Sequence, residues 1–315
     1  MAILGEEDRL HPSGTDDSWF ESWWFAFYVP ERRLSVYIYP WFRPNLGICG
    51  GGVFAWDDRG SLPWTMLHHD YLWSRRFDGW DAMAEGGRIA MPQGVTIDVI
   101  EGGRAYRIRY DHPGLAFDVR FEATAAVEAT SASTTEESIF KGHIDQPGRY
   151  AGWVRAGGEA LAVDCHCVRD RSWGPRRDDV TGMHIGYFHA TASADDAFLM
   201  VTHAGADPES FSLLSGYLIR DGAHSLLAEG SARITRGDDL SPESCVIEAT
   251  DRRGRRLEAR GRAITRMAVQ VQPGMFNWSS FAEWNFGEAT AYGELQDTWH
   301  PDGYRAFARE RGAAA

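Results

Sequence analysis

The chain has 315 residues, with 32 Lys and Arg against 45 Asp and Glu, for a net charge of −13. That balance excludes a nucleic-acid surface, which needs clustered basic side chains, and argues equally against an anionic membrane surface. A hydrophobic content of 43% excludes disorder as the main state, and 13 Trp within 13% aromatics require an aromatic core, an aromatic-lined cavity or both.

The first ten residues show no basic stretch followed by an apolar one, so no signal peptide is expected, and no apolar run approaches the roughly 18 residues of a membrane helix. Cys49, Cys165, Cys167 and Cys245 are too few and too scattered for a disulfide framework. A cytoplasmic setting with reduced thiols is the expectation.

The aromatic run 19–28 alternates so that Glu21, Trp23, Phe25 and Phe27 share a face. A carboxylate buried among tryptophans would have a raised pKa and be a neutral proton donor. Residues 33–40, 95–100, 105–110 and 115–123 alternate in the same manner, and Glu101-Gly102-Gly103-Arg104 joins the second and third as a hairpin turn. A domain boundary is expected in the Ser/Thr-rich stretch 130–136 or later, within 141–158. His143 then stands in a His-Ile-Asp-Gln-Pro-Gly stretch as a candidate general acid or base.

Residues 160–168 read as a strand with Leu161, Val163, Cys165 and Cys167 on one face and Asp164 and His166 on the other. The Cys-His-Cys triplet invites a zinc site, but alternation points its side chains to opposite faces, and core cysteines are the better reading. In residues 169–176, Arg-Asp-Arg-Ser-Trp-Gly-Pro-Arg, Asp170 stands between two arginines. That stretch reads either as a salt-bridged corner with a buried Trp or as a polar cluster at a cavity mouth. Further strands are predicted at 184–192, 197–203, 212–219, 232–235, 245–250 and 257–272. An aromatic echo follows at 276–288, and 301–312 reads as one short helix. The whole is an all-β, antiparallel protein of two tandem barrels or sandwiches, divided as 1–158 and 159–315. There is no glycine-rich phosphate loop, nucleophile elbow or His-Glu-x-x-His motif, so neither a cofactor nor a metal is expected.

Residues 143–148, the strand to His166, and Arg169-Asp170-Arg171-Ser172-Trp173-Gly174 resemble the core of bacterial proteins related to the carotenoid 1,2-hydratases, which carry an Asp-His-x-Trp-Gly signature. Glu21-Ser22-Trp23-Trp24-Phe25 resembles that family's Glu-Trp-Trp motif. The resemblance implies two lipocalin-type β-barrel domains in tandem around a hydrophobic cavity, and hydration of isoprenoid double bonds. It places the signature Asp on Asp170, Trp on Trp173 and Gly on Gly174. Arg171 stands where the signature has His, and the family's later Tyr-x-Asp pair has only Tyr187-Phe188-His189 as its nearest shape.

Two functions follow as expectations. The first is a cofactor-independent lyase or isomerase, a hydratase, dehydratase or cyclase acting on an apolar isoprenoid or ring-type molecule. Its proton-transfer candidates are His143, Asp164, His166, Asp170 and Glu21, with Arg171 as a clamp for a substrate carboxylate. Trp23, Trp153, Trp173, Tyr187 and Trp284 form its substrate-facing aromatic set. The alternative is a lipocalin-like carrier of a hydrophobic ligand, with no chemistry. In either case the partner is a hydrophobic small molecule rather than nucleic acid or membrane.

Overall fold

A computed structural model describes residues 5–80, 87–126, 141–177 and 182–312. The chain forms two compact units, Met1–Trp56 with Met66–Arg176, and Asp57–Thr65 with Arg177–Ala315. The predicted boundary at 158/159 is instead the tip of a hairpin inside the first unit. Gly157 and Gly158, with φ of 58° and 85°, form its turn because both central positions need a left-handed backbone. The candidate boundary at 130–136 lies outside the described residues.

The first unit is one ten-stranded antiparallel sheet. Its chain order is β1 (Trp19–Val29), β2 (Leu34–Arg43), β3 (Ile48–Trp56), β4 (His68–Arg76), β5 (Arg88–Ala90), β6 (Thr96–Glu101), β7 (Ala105–His112), β8 (Leu115–Ala123), β9 (Gly142–Ala156) and β10 (Glu159–Pro175). In space the order is β4-β3-β2-β1-β10-β9-β8-β7-β6-β5, with β10 and β9 as the middle pair and β1 beside β10. A sheet this wide curls. The curl brings Phe25 of β1 within 5.6 Å of Tyr106 of β7, and Phe27 within 5.4 Å of Phe117 of β8, across the concave face. Tyr110 of β7 donates to Asp70 of β4 at 2.6 Å and so ties strands from opposite ends of the sheet.

β1 is buried on both faces, and its sequence therefore reads as an aromatic run without polar alternation. β10 runs unbroken through Gly174 and Pro175, paired to β1 from Phe25↔Arg169 to Trp19↔Pro175. The corner expected at 169–176 does not exist, because Trp19–Phe25 supplies a continuous partner for its ladder. Close packing leaves no room at Gly142, where an added Cβ would lie 2.0 Å from Trp173 Cζ2. Gly142→Ala is expected to cost about 1–3 kcal/mol in urea unfolding, because the indole must leave its rotamer.

The second unit is a closed eight-stranded barrel. Its strands are β11 (His184–Thr191), β12 (Ala197–Ala204), β13 (Ser210–Arg220), β14 (Ala223–Arg236), β15 (Pro242–Asp251), β16 (Arg256–Gln272), β17 (Met275–Phe286) and β18 (Ala289–Trp299). A helix, α1 (Pro301–Glu310), follows, with Pro at its start and His300 as its N-cap. Phe188, Phe198, Met200, Trp284, Phe286 and Leu295 fill the barrel. The strap 57–65 joins this unit, where the Ala268 N–H donates to the Ser61 carbonyl at 2.7 Å. Among the described residues no helix is long and apolar enough to cross a membrane, and all four cysteines are free thiols.

Candidate functional site

β1, β9 and β10 carry charged side chains on both faces of the first unit's sheet, and alternation sorts them into two clusters. On the concave face Glu21 and Arg171, each fully buried, form an ion pair. Glu21 also accepts from the His11 backbone N–H at 2.7 Å and from Trp19 Nε1 at 3.2 Å. Arg171 donates to the carbonyls of Ser172, Arg9 and Glu7 at 2.8, 3.1 and 3.2 Å, and its guanidinium lies 3.6 Å from the Trp23 ring centroid. His11 stacks on Trp173 at 3.8 Å, nearly parallel. Burial pushes the Glu21 carboxyl up, but the Arg171 charge and the hydrogen bonds from His11 and Arg171 outweigh it and hold the pKa below its ordinary value. Glu21 is therefore an ionised anchor for the segment around residues 7–11, and not the neutral proton donor its tryptophan neighbours suggest. Arg171 is spent on the same anchor and does not offer a free fork to a substrate carboxylate.

The second cluster occupies the convex face. His143 Nε2 is 2.9 Å from Asp145 Oδ2, two residues along β9. Across the ladder Asp170 stands opposite Asp145, and Ser172 opposite His143. From β1, Trp24 lies opposite Asp170 and Ser22 opposite Ser172. The Ser22 and Ser172 hydroxyls are 2.8 Å apart, and Arg176 donates to the Ser172 hydroxyl at 2.8 Å. Trp24 packs edge-on against Tyr37 and Tyr39, at 4.5 and 5.3 Å. Burial pushes the His143 imidazole down. The Asp145 carboxylate, through charge and hydrogen bond, and then Asp170 outweigh this and raise its pKa above the ordinary value. An imidazole whose charged form is favoured by two carboxylates, with aromatic rings on the same sheet face, can give a proton to one atom while a carboxylate takes one from another.

The remaining predicted residues fall elsewhere. Asp164 is exposed and held by both nitrogens of a fork from Arg149, at 2.7 Å each. His166 lies opposite Arg149, and burial and that charge lower its pKa. It shares the convex face with Asp170 but sits four residues away, about 13 Å along the strand. Asp164→Ala is expected to change unfolding free energy by no more than about 0.5 kcal/mol, because an exposed ion pair is screened. Trp153 is 43% exposed, whereas Trp23 and Trp173 belong to the Arg171 anchor. Trp284 is core in the second unit's barrel, and Tyr187 lies on that barrel's outer face, its ring 5.5 Å from His189. Cys165 and Cys167 lie on the opposite face of β10 from His166, so the three do not converge.

Sequence reasoning missed Asp145, Trp24, Ser172 and Arg176. Asp145 was within reach, since i and i+2 on a strand share a face. Trp24 was not, because only the β1–β10 register brings it to Asp170.

A family model matches residues 5–301, and the chain belongs to that family, described as a domain of unknown function, DUF7064. No curated protein matches the sequence. A crystal structure described as an AttH candidate from Nitrosomonas europaea is similar, with a TM-score of 0.64 and 13% identity over 89% of this chain and 91% of that one. Kievitone hydratase from Nectria haematococca is similar at a TM-score of 0.56 and 11% identity, over 95% of this chain and 93% of that one. The chain thus has the lipocalin-like fold found in a hydratase.

Proposed function

We propose that this protein is a cofactor-independent hydratase-type lyase acting on an apolar, isoprenoid- or ring-type small molecule. The observation that carries the reading is the His143–Asp145 pair, with Asp170 opposite it, on an aromatic sheet face. In the hydration direction His143, as imidazolium, gives its proton to one alkene carbon. Water adds its oxygen to the other carbon, and Asp170, the less buried carboxylate, takes the water's proton. Asp145 holds the ring and its charge. The faces of Trp24, Tyr37 and Tyr39 favour developing positive charge on carbon. The fold shared with kievitone hydratase supports this reading, as does the carotenoid-hydratase-like signature ending in Trp173-Gly174. The four free thiols support a cytoplasmic enzyme. The test is incubation with terpenoid, steroid and aromatic alkenes and alcohols in ¹⁸O-labelled water. Label entering an alcohol product, lost in His143→Gln, supports the lyase. Saturable binding of panel members without label would instead identify a carrier.

A further inference from the structure

On the barrel of the second unit, His189 of β11 and Glu294 of β18 are opposite one another in the ladder. Their neighbours Phe188, Ala190 and Leu295 point into the barrel core, so these two point outward. Outward side chains of a barrel are ordinarily wetted, yet His189 and Glu294 are 1% exposed and Thr191, two residues on, is 3% exposed. His189 Nε2 is 3.6 Å from Glu294 Oε2. Among the described residues His189 Nδ1, Glu294 Oε1 and Thr191 Oγ1 are buried without a hydrogen-bond partner. Three orphaned polar atoms in a patch two strands wide are a costly arrangement for a merely structural surface.

The surroundings fix the chemistry of what would pair them. Tyr187 stands nearly perpendicular to the His189 ring at 5.5 Å, and Phe281, opposite Glu294 on β17, packs with Tyr292 at 5.3 Å. Aromatic rings thus flank both ends of the dyad. A hydroxyl group can donate to Glu294 Oε1 and accept from the Thr191 hydroxyl or an Nδ1–H, satisfying the orphans together. An anion would meet the Glu294 carboxylate unpaired, and a cation would meet His189, which already occupies that carboxylate's other oxygen. We propose that the outward face of β11, β17 and β18 is a second ligand site, one for a neutral aromatic molecule bearing a hydroxyl group.

The probe is 2-naphthol, added to the full chain and followed by calorimetry and by ¹⁵N spectra of the histidine rings, with 2-naphthoate in parallel. The expected result is saturable 2-naphthol binding with movement of the His189 Nδ1 resonance. Affinity should weaken at least tenfold in Glu294→Gln and His189→Gln, and about threefold in Thr191→Val. The naphthoate should bind at least tenfold more weakly than the naphthol. Thr191→Val keeps the dyad and its packing, so it decides the matter if a dyad variant does not fold. The proposal is overturned if 2-naphthol does not saturate, if Thr191→Val binds it as wild type does, or if naphthoate binds equally well.

Discussion

Glu21→Gln should lower the free energy of unfolding by about 3–5 kcal/mol, because removing one partner of a buried ion pair leaves the other charge uncompensated. Arg171 is fully buried on the concave face, and its other contacts are backbone carbonyls, His11 Nδ1 and the Trp23 and Trp173 rings. Those stabilise the cation without neutralising it. Urea unfolding of wild type, Glu21→Gln and the Glu21→Gln/Arg171→Met pair measures this. The double variant should lose less than the single one, since no orphan charge remains. Acid should act in the same direction. The folded-state pKa of Glu21 lies below its ordinary value, so its contribution to stability is complete above that ordinary value. It is lost as pH falls through the folded value. Wild type should therefore lose stability on acidification more steeply than Glu21→Gln. Parallel acid titrations of the two would show Glu21 to be no anchor.

His143→Gln should reduce turnover on any substrate that takes up label by roughly 100- to 10,000-fold, the ordinary loss when a positioned general acid is removed. The effect should fall on kcat more than on KM, since the proton is delivered in the transition state. The pH dependence has a definite sign. The His143 pKa is raised, first against burial, by Asp145 and then by Asp170. An imidazolium acid stays loaded through the ordinary histidine range, and activity declines only as pH rises through the raised value. Asp145→Asn removes the main source of the raise and should move that decline to lower pH, with kcat retained in part below it. A decline that does not move would assign the limb to another group. The same linkage makes the charged pair a stabiliser below the unfolded histidine pKa, with its contribution lost as pH rises through the folded one.

The β class was legible because alternation is a local property. The predicted strands 115–123, 184–192 and 197–203 match β8, β11 and β12 almost residue for residue, and the helix at 301–312 matches α1. β3 was hidden from alternation because it is buried on both faces, and its Ile-Cys-Gly-Gly-Gly-Val-Phe-Ala-Trp run has no polar period. The site was legible only as far as a single strand carries information. His143 and Asp145 share a face by spacing alone, and Asp170 is reached through the Asp-x-x-Trp-Gly resemblance. Which aromatic residues accompany them depends on pairing between strands distant in sequence. Trp23 and Trp24 are neighbours with opposite fates, one under Arg171 and the other opposite Asp170. A one-residue difference of register would exchange them. The sequence sets the charges of Arg169 and Arg171 beside Asp170, whereas alternation sends both to the far face. Adjacency in sequence is the wrong measure of proximity in a strand.

The strap at 57–65 bears on how the protein is made. It leaves the ribosome between β3 and β4, yet its hydrogen-bonding partner at Ala268 is synthesised roughly 200 residues later. At ordinary elongation rates that is a wait of about 10–40 s. During it, the nascent first half carries a loop committed to a barrel that has not yet been translated. A gene split at codon 177 would not yield two portable modules, because the downstream piece would lack a component encoded far upstream. Shuffling or duplication in this lineage is therefore expected to move both halves as one cassette.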